Sequence, residues 1–259
     1  MAGFSFKKKI IQSHFWQMHI QIAREFSRDN RIFLVGDSAH AFVPTGGFGL
    51  NTGLGDVVNL GWKLAAAVTG AADKTILTTY EEERRPVCLQ NLKLAQKNAD
   101  DLMSLRKKYD PQENPEAFAK ANAALANQYV NALSATLGYQ YGNKVQENIK
   151  MNATYKPITE SGYFLPHQRL ENKMSIYDVL SATHWTLIIS GEITEPCLMS
   201  PPDAHLDILK LPKDTYPFRF ILIRPDWHIV YISNIFSMDV IKSNMKNAML
   251  RNCFQKVIE

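Results

Sequence analysis

The sequence predicts an α/β protein of two domains, and three observations carry that expectation. A short apolar run, Ile32-Phe33-Leu34-Val35, ends at Gly36-Asp37 and leads through a glycine-rich loop into a helical pattern, the strand, loop and helix order of an α/β sheet. Helical periodicity then holds to about residue 137. Beyond residues 143–162, which are rich in polar and turn-forming types, the period changes to that of strands, so a boundary is expected near 157, with domains over 1–157 and 158–259. A chain of 259 residues suits two domains of roughly 100–200 residues each.

Taken in order, residues 1–30 place Ile10, Ile11, Phe15, Trp16, Met18, Ile20, Ile22 and Phe26 in a mixture of alternation and helical spacing, read as a strand followed by a short helix. Ser27-Arg28-Asp29-Asn30 is a turn signal, and the apolar run after it has the look of a buried parallel strand. From Asn51 the residues Leu54, Val57, Val58, Leu60, Trp62, Leu64, Ala65 and Val68 recur at helical spacing, with Gly70 as the stop. Gly53, Gly55 and Gly61 lie inside that pattern. Each costs a helix roughly 1 kcal/mol relative to alanine, so their presence implies close approach by a backbone or a ligand.

A second helix is expected from about 76 to 105, with Tyr80, Val87, Leu89, Leu92 and Leu94 as core candidates and Pro86 as a kink or break. Glu81-Glu82-Glu83-Arg84-Arg85 reads as a salt-bridged surface worth a few tenths of a kcal/mol per pair. After a loop over 110–115, an alanine-rich helix is expected from about 116 to 137, ended by Gly138. Strands follow at 185–189, 218–223 and 229–232, the last two joined as a hairpin through Arg224-Pro225-Asp226-Trp227.

Composition narrows the function classes. With 46% hydrophobic and 21% charged residues the chain should fold. Its net charge of +4 is spread along the sequence and does not point to nucleic acid. Cys88, Cys197 and Cys253 have neither CxxC nor metal-ligand spacing, so no metal site is expected and isolated reduced thiols favour the cytoplasm. No secretion signal and no run long enough for a membrane span is visible.

The chemistry concentrates in residues 31–64. Asp37, at the strand's end, is an acceptor for ligand hydroxyls such as those of a ribose or ribityl chain. Gly46, Gly47 and Gly49 let backbone N–H groups approach a flat or anionic group, and a helix opening at Leu50-Asn51 adds its positive end. A glycine-rich connection without ligand explains the same composition, and His40 reads as a structural residue more readily than as a ligand contact.

Gly36-Asp37-Ser38-Ala39-His40, Pro44-Thr45-Gly46-Gly47-Phe48-Gly49-Leu50-Asn51-Thr52-Gly53, Asp56, Asn59-Leu60, Trp62-Lys63-Leu64 and Tyr80-Glu81-Glu82-Glu83-Arg84-Arg85-Pro86 together resemble the second flavin motif of FAD-dependent aromatic hydroxylases, the phenol, chlorophenol and polyketide hydroxylases above all. The resemblance implies a FAD-contacting set of Gly36, Asp37, Pro44, Gly46, Gly47, Gly49, Leu50 and Asn51. Asp37 would bond the ribityl chain, Pro44 would lie beside the isoalloxazine, and the backbone of Gly49, Leu50 and Asn51 would face the N1–C2=O edge. It further implies NAD(P)H as reductant, O₂ as oxygen source and an aromatic small molecule as substrate, with Phe42, Val43, Pro44 and Phe48 near it or simply packed. No acid or base residue with catalytic work is expected.

Residues 137–141, Pro166-His167, Tyr177-Asp178-Val179-Leu180 and 223–229 are similar to that family's passage into a thioredoxin-like C-terminal domain, here without CxxC. The implied fold is therefore the C-terminal part of a Rossmann-like FAD-binding domain followed by a thioredoxin-like α/β domain. The family's GxGxxG turn, which holds the FAD pyrophosphate, is not in the 259 residues. The expectation is half of a flavin site, in a truncated chain that self-associates or pairs with an N-terminal partner, or in a non-catalytic remnant or accessory subunit.

Overall fold

A computed structural model describes residues 7, 9–15, 17, 19–130, 132–142, 155–171, 173–192 and 205–250. Cys197 and Cys253 lie outside these residues, as does much of the stretch expected to divide the domains. The described residues ahead of 21 form neither strand nor helix, against the expectation. The first elements are short: β1 (Gln21–Ile22), β2 (Ser27–Arg28), β3 (Ile32–Phe33) and β4 (His40–Ala41). β1 pairs antiparallel with β4, and β2 with β3.

The run 32–35 is thus not a buried parallel strand. It is one arm of a tight hairpin, and Ile32 is 60% exposed. The cause is local. Asp29 and Asn30 both take left-handed backbone, with φ of 53° and 51°, which makes a turn whose twist suits an antiparallel pair. No described strand lies parallel to β3.

Helix α1 (Phe48–Thr69) begins three residues before Asn51 and ends at Gly70, whose left-handed conformation closes it. A 3-10 turn, Lys74–Thr78, is capped by the Asp73 side chain, which accepts from the Thr75 N–H at 2.8 Å. It leads into α2 (Thr79–Lys108), which continues through Pro86. The expected alanine-rich helix is divided into α3 (Pro115–Val130) and α4 (Leu133–Leu137).

The C-terminal half holds a four-stranded sheet of β5 (Trp185–Ser190), β6 (Leu206–Leu211), β7 (Phe220–Ile223) and β8 (Ile229–Ser233), in the order β6-β5-β7-β8. β5 and β6 are parallel, while the other pairs are antiparallel. Helix α5 (Met238–Met249), capped by the Ser237 hydroxyl, follows with Ile241, Met245 and Ala248 on its buried face. Neither β6 nor α5 was expected.

Alternation along β5 sends Leu187 and Ile189 to one face and Ile188 to the other. The first face joins Phe26, Leu60, Trp62 and Tyr80 of the helical half and Ile241 and Met245 of α5 in one apolar cluster. The second packs on Leu165 and Ile176. The core is therefore continuous across residue 157.

Candidate functional site

The glycine-rich loop leads directly into the start of α1. Gly46 and Gly47 both have positive φ, 83° and 69°, and Gly47 is the residue that precedes the helix. No side chain caps that helix end and its first turn carries no acid. The N–H groups of Phe48, Gly49 and Leu50 hence lack the intrahelical acceptors available further along. Asn51 stands fourth in the helix, where an acceptor exists, and its side chain donates to the Gly47 carbonyl at 2.8 Å. Thr45 pins the loop to α2 by donating to the Ala95 carbonyl at 2.6 Å.

Asp37 sits in a 3-10 turn, Gly36–Ser38, and is exposed, as are Pro44, Gly46, Gly47, Leu50 and Asn51. Gly36 and Gly49 are half-buried. The turn and the helix touch through their backbones: a Cβ on Gly53 would lie 3.2 Å from the Cα of Gly36. The structure thus brings Gly36 and Asp37 beside the first turns of α1. Gly46 is required by packing in its own right, since a Cβ there would meet Asn98 Nδ2 at 2.7 Å and the Phe48 ring at 2.8 Å. Val43 and Phe48 are buried against Ala95, Ala132 and Ala135, so ordinary packing accounts for both.

Beneath the loop, α1 presents an unexpected face. The centre of its buried face is polar, made of Thr52, Asp56, Asn59 and Lys63 at spacings of four, three and four and flanked by buried Phe48, Leu60, Trp62 and Ala67, whereas Leu50, Leu54, Val57, Val58 and Val68 are exposed. The polar stripe meets α2 and the hairpin turn between β7 and β8. The Asp56 carboxylate accepts from His40 Nε2 at 2.7 Å and from Arg84 Nε at 2.9 Å, and Arg84 also donates to the Tyr141 hydroxyl and the Thr52 carbonyl. Glu83 accepts from Lys63 at 2.8 Å, from Asn59 at 2.6 Å and from both terminal nitrogens of Arg224 at 2.8 and 3.0 Å. Arg224 makes a second fork to Asp226, at 2.9 and 2.6 Å, and lies between the rings of Trp62 and Tyr141, each centroid 5.3 Å away.

The expected salt-bridged surface at 81–85 is therefore largely interior. Glu83 and Arg84 are buried, Glu81 accepts from the backbone N–H groups of Phe26 and Ser27, and Glu82 alone of the five is exposed. Burial pushes the Glu83 carboxyl upward, but Arg224 and Lys63 outweigh it and hold it at about 2. Burial opposes Asp226 and Asp56 likewise; Arg224 and His228 bring the first well below the usual range, and the His40 hydrogen bond with Arg84 lowers the second. The His228 ring is pushed down by burial. Its Nδ1 faces the Asp226 carbonyl at 3.0 Å, and it stacks on Tyr141. Burial also raises the Cys88 thiol to about 12, which removes it as a nucleophile.

A signal for this network was present in the sequence: polar residues at helical spacing along α1 and a charge pair flanking Pro225. His40, ambiguous in the sequence, points inward to Asp56.

Residues 4–95 match the family model of the FAD binding domain. The chain is 26% identical over 257 residues to the FAD-dependent monooxygenase opdD of Penicillium oxalicum, covering 87% of this chain and 49% of that protein. It is 31% identical over 217 residues to YhjG of Bacillus subtilis, described as an uncharacterized aromatic compound monooxygenase, covering 79% and 40%. The structure of the rebeccamycin biosynthetic enzyme RebC with reduced flavin superposes with a TM-score of 0.73 at 26% identity, covering 91% of this chain and 48% of that one. The chain thus spans about half the length, or less, of the relatives it matches. No helix among the described residues is long and apolar enough to cross a membrane. Over residues 4–95 the chain matches the FAD binding domain, and in sequence and fold it is similar to FAD-dependent monooxygenases.

Proposed function

We propose that this chain supplies the ribityl and ring-edge half of an FAD site in an aromatic-ring monooxygenase that draws its electrons from NAD(P)H. The observation that carries the reading is the start of α1: an exposed, uncapped helix end without an acid, with Asp37 presented on a turn packed directly against the same helix. The donor set fits the cofactor. Free N–H groups and the positive helix end favour the electron-rich N1–C2=O edge of a flavin, and an exposed carboxylate suits ribityl hydroxyls. When bound, the flavin supplies the oxygen-activating chemistry, while the protein orients it and excludes water.

In this reading Gly49 and Leu50 act through their N–H groups, Asn51 acts through the side chain that orders Gly47, and Pro44 flanks the ring. Phe42 and Pro44 remain for contact with an aromatic substrate, because Val43 and Phe48 are committed to packing. The reductant rests on the family resemblance. The pyrophosphate contacts come from polypeptide outside these 259 residues, which lack GxGxxG. The apolar outer stripe of α1 supports association with such a segment. The order β6-β5-β7-β8, with one parallel pair and then antiparallel ones, supports a thioredoxin-like C-terminal domain in 158–259 that serves packing rather than dithiol chemistry.

Titration of FAD with the purified chain, followed by flavin fluorescence and visible circular dichroism, tests the reading. Weak but saturable binding that Asp37→Ala reduces about 10-fold is expected, the loss of one charge-assisted contact. Absence of saturable binding, or an Asp37→Ala variant that binds like the wild type, would overturn it.

A further inference from the structure

One carboxylate ties the turn that carries Asp37 to the two helices beneath it. Asp56 is completely buried on α1. Its Oδ2 accepts from the Gly36 N–H at 3.3 Å and from His40 Nε2 at 2.7 Å, so it holds both ends of segment 36–40. Its Oδ1 accepts from Arg84 of α2 at 2.9 Å. Arg84 reaches it by running over Gly55, where a Cβ would stand 2.7 Å from the guanidinium.

Asp37 follows Gly36 directly and is exposed, so the direction of its carboxylate is set by the backbone on its N-terminal side. Gly36 has φ of +58°, a conformation that side chains disfavour, and its Cα lies against Gly53. The Gly36 carbonyl accepts from the Ala39 N–H at 2.8 Å within the turn itself, so what ties Gly36 to α1 is its N–H on Asp56 and its contact with Gly53, and it has two ways of being displaced from the helix: removal of the acceptor, or a methyl group at the contact.

We propose that Asp56 is the positioning residue of the flavin site, fixing through Gly36 where Asp37 meets the cofactor, with Arg84 and His40 holding Asp56 in place. It touches no cofactor atom itself. The ligand named here rests on the FAD reading above, whereas the positioning of the turn does not, and the two are separable by experiment.

The test compares Asp56→Asn, Asp56→Glu, Gly53→Ala and, as a control of equal burial, Asp226→Asn in the full chain. The readouts are amide hydrogen exchange of residues 36–40 and FAD affinity. Gly53→Ala keeps every charge and improves helix propensity, so it retains the fold if Asp56→Asn does not. Asp56→Asn and Gly53→Ala are expected to speed exchange at 36–40 by about 10-fold and to weaken FAD binding by a similar factor, with partial recovery in Asp56→Glu. Asp226→Asn should lower the melting temperature without moving either readout. Unchanged exchange at 36–40 in Gly53→Ala and in folded Asp56→Asn, or an equal change in Asp226→Asn, overturns the proposal. If the wild type binds no FAD, the FAD reading fails and the exchange result alone still decides whether Asp56 holds the turn.

Discussion

Glu83→Gln removes one negative charge from a buried group of four, Glu83, Asp226, Lys63 and Arg224, whose charges otherwise cancel. The glutamine keeps the shape but leaves Lys63 and Arg224 facing a neutral amide, and its NH₂ cannot accept from them. Two routes give the size of the effect. Breaking a buried pair by removing one partner costs about 3–5 kcal/mol. A carboxyl held at about 2 against an ordinary 4.5 corresponds to roughly 3 kcal/mol of preferential stabilisation of its charged form. For a chain of this size that is a fall of about 6–20 °C in melting temperature. Urea unfolding and a thermal melt followed by circular dichroism measure it. The surface reading of residues 81–85 predicts less than about 1 kcal/mol, so a loss that small would refute the interior network. Adding Lys63→Met to Glu83→Gln restores the charge balance, and the pair should cost less than the sum of the single changes by about 0.5–3 kcal/mol.

Acidification should destabilise the chain in two stages. His228, whose folded value is pushed below 6.5 by burial, takes up protons more readily when unfolded, so its contribution is full above about 6.5 and is lost below; Glu83 contributes fully above 4.5 and loses its share toward 2, in the same direction as Asp226 and Asp56. Melting temperatures measured from pH 8 to 3 should be level near neutrality and then fall, and a rise on acidification would contradict the assignment. The outer stripe of α1 should bind the dye ANS in the isolated chain, and Leu54→Glu with Val57→Glu, at positions 54% and 56% exposed, should remove that signal while leaving the melting temperature within about 2 °C.

The legible parts of the sequence were those fixed by local chemistry. Gly70 ends α1 because its left-handed backbone is open to glycine, and Pro225-Asp226 turns the β7–β8 hairpin. The fixed residues of the glycine-rich stretch likewise led to the family. What failed needed knowledge of which side of an element is covered. Helical spacing announced a helix correctly but not that Leu54, Val57 and Val58 face outward while Leu60 and Trp62 of the same pattern face the core, because periodicity defines a face without saying what lies against it. Glu83 and Arg84 looked like surface because charged residues usually are; their partners Arg224 and Asp56 lie 141 and 28 residues away. The run 32–35 carried the composition of a buried strand, yet Asp29 and Asn30 folded it back upon 27–28.

The polar centre of α1's buried face has a structural consequence. A helix with a single buried face normally spends only apolar residues there, whereas α1 buries Thr52, Asp56, Asn59 and Lys63 as well, each of which needs a partner to avoid a desolvation cost of about 1–3 kcal/mol or more. Phe48, Leu60, Trp62 and Ala67 flank that polar stripe in the core, whereas Leu50, Leu54, Val57, Val58 and Val68 remain on the opposite side, and such a helix is suited to burial between two layers, with polar groups fixing its register on one and hydrophobic area driving contact with the other. Leu50 belongs at once to the first turn of the proposed flavin site and to the head of the outer stripe, and is 75% exposed. Burial of the stripe, Leu50 included, would therefore also cover the uncapped helix end.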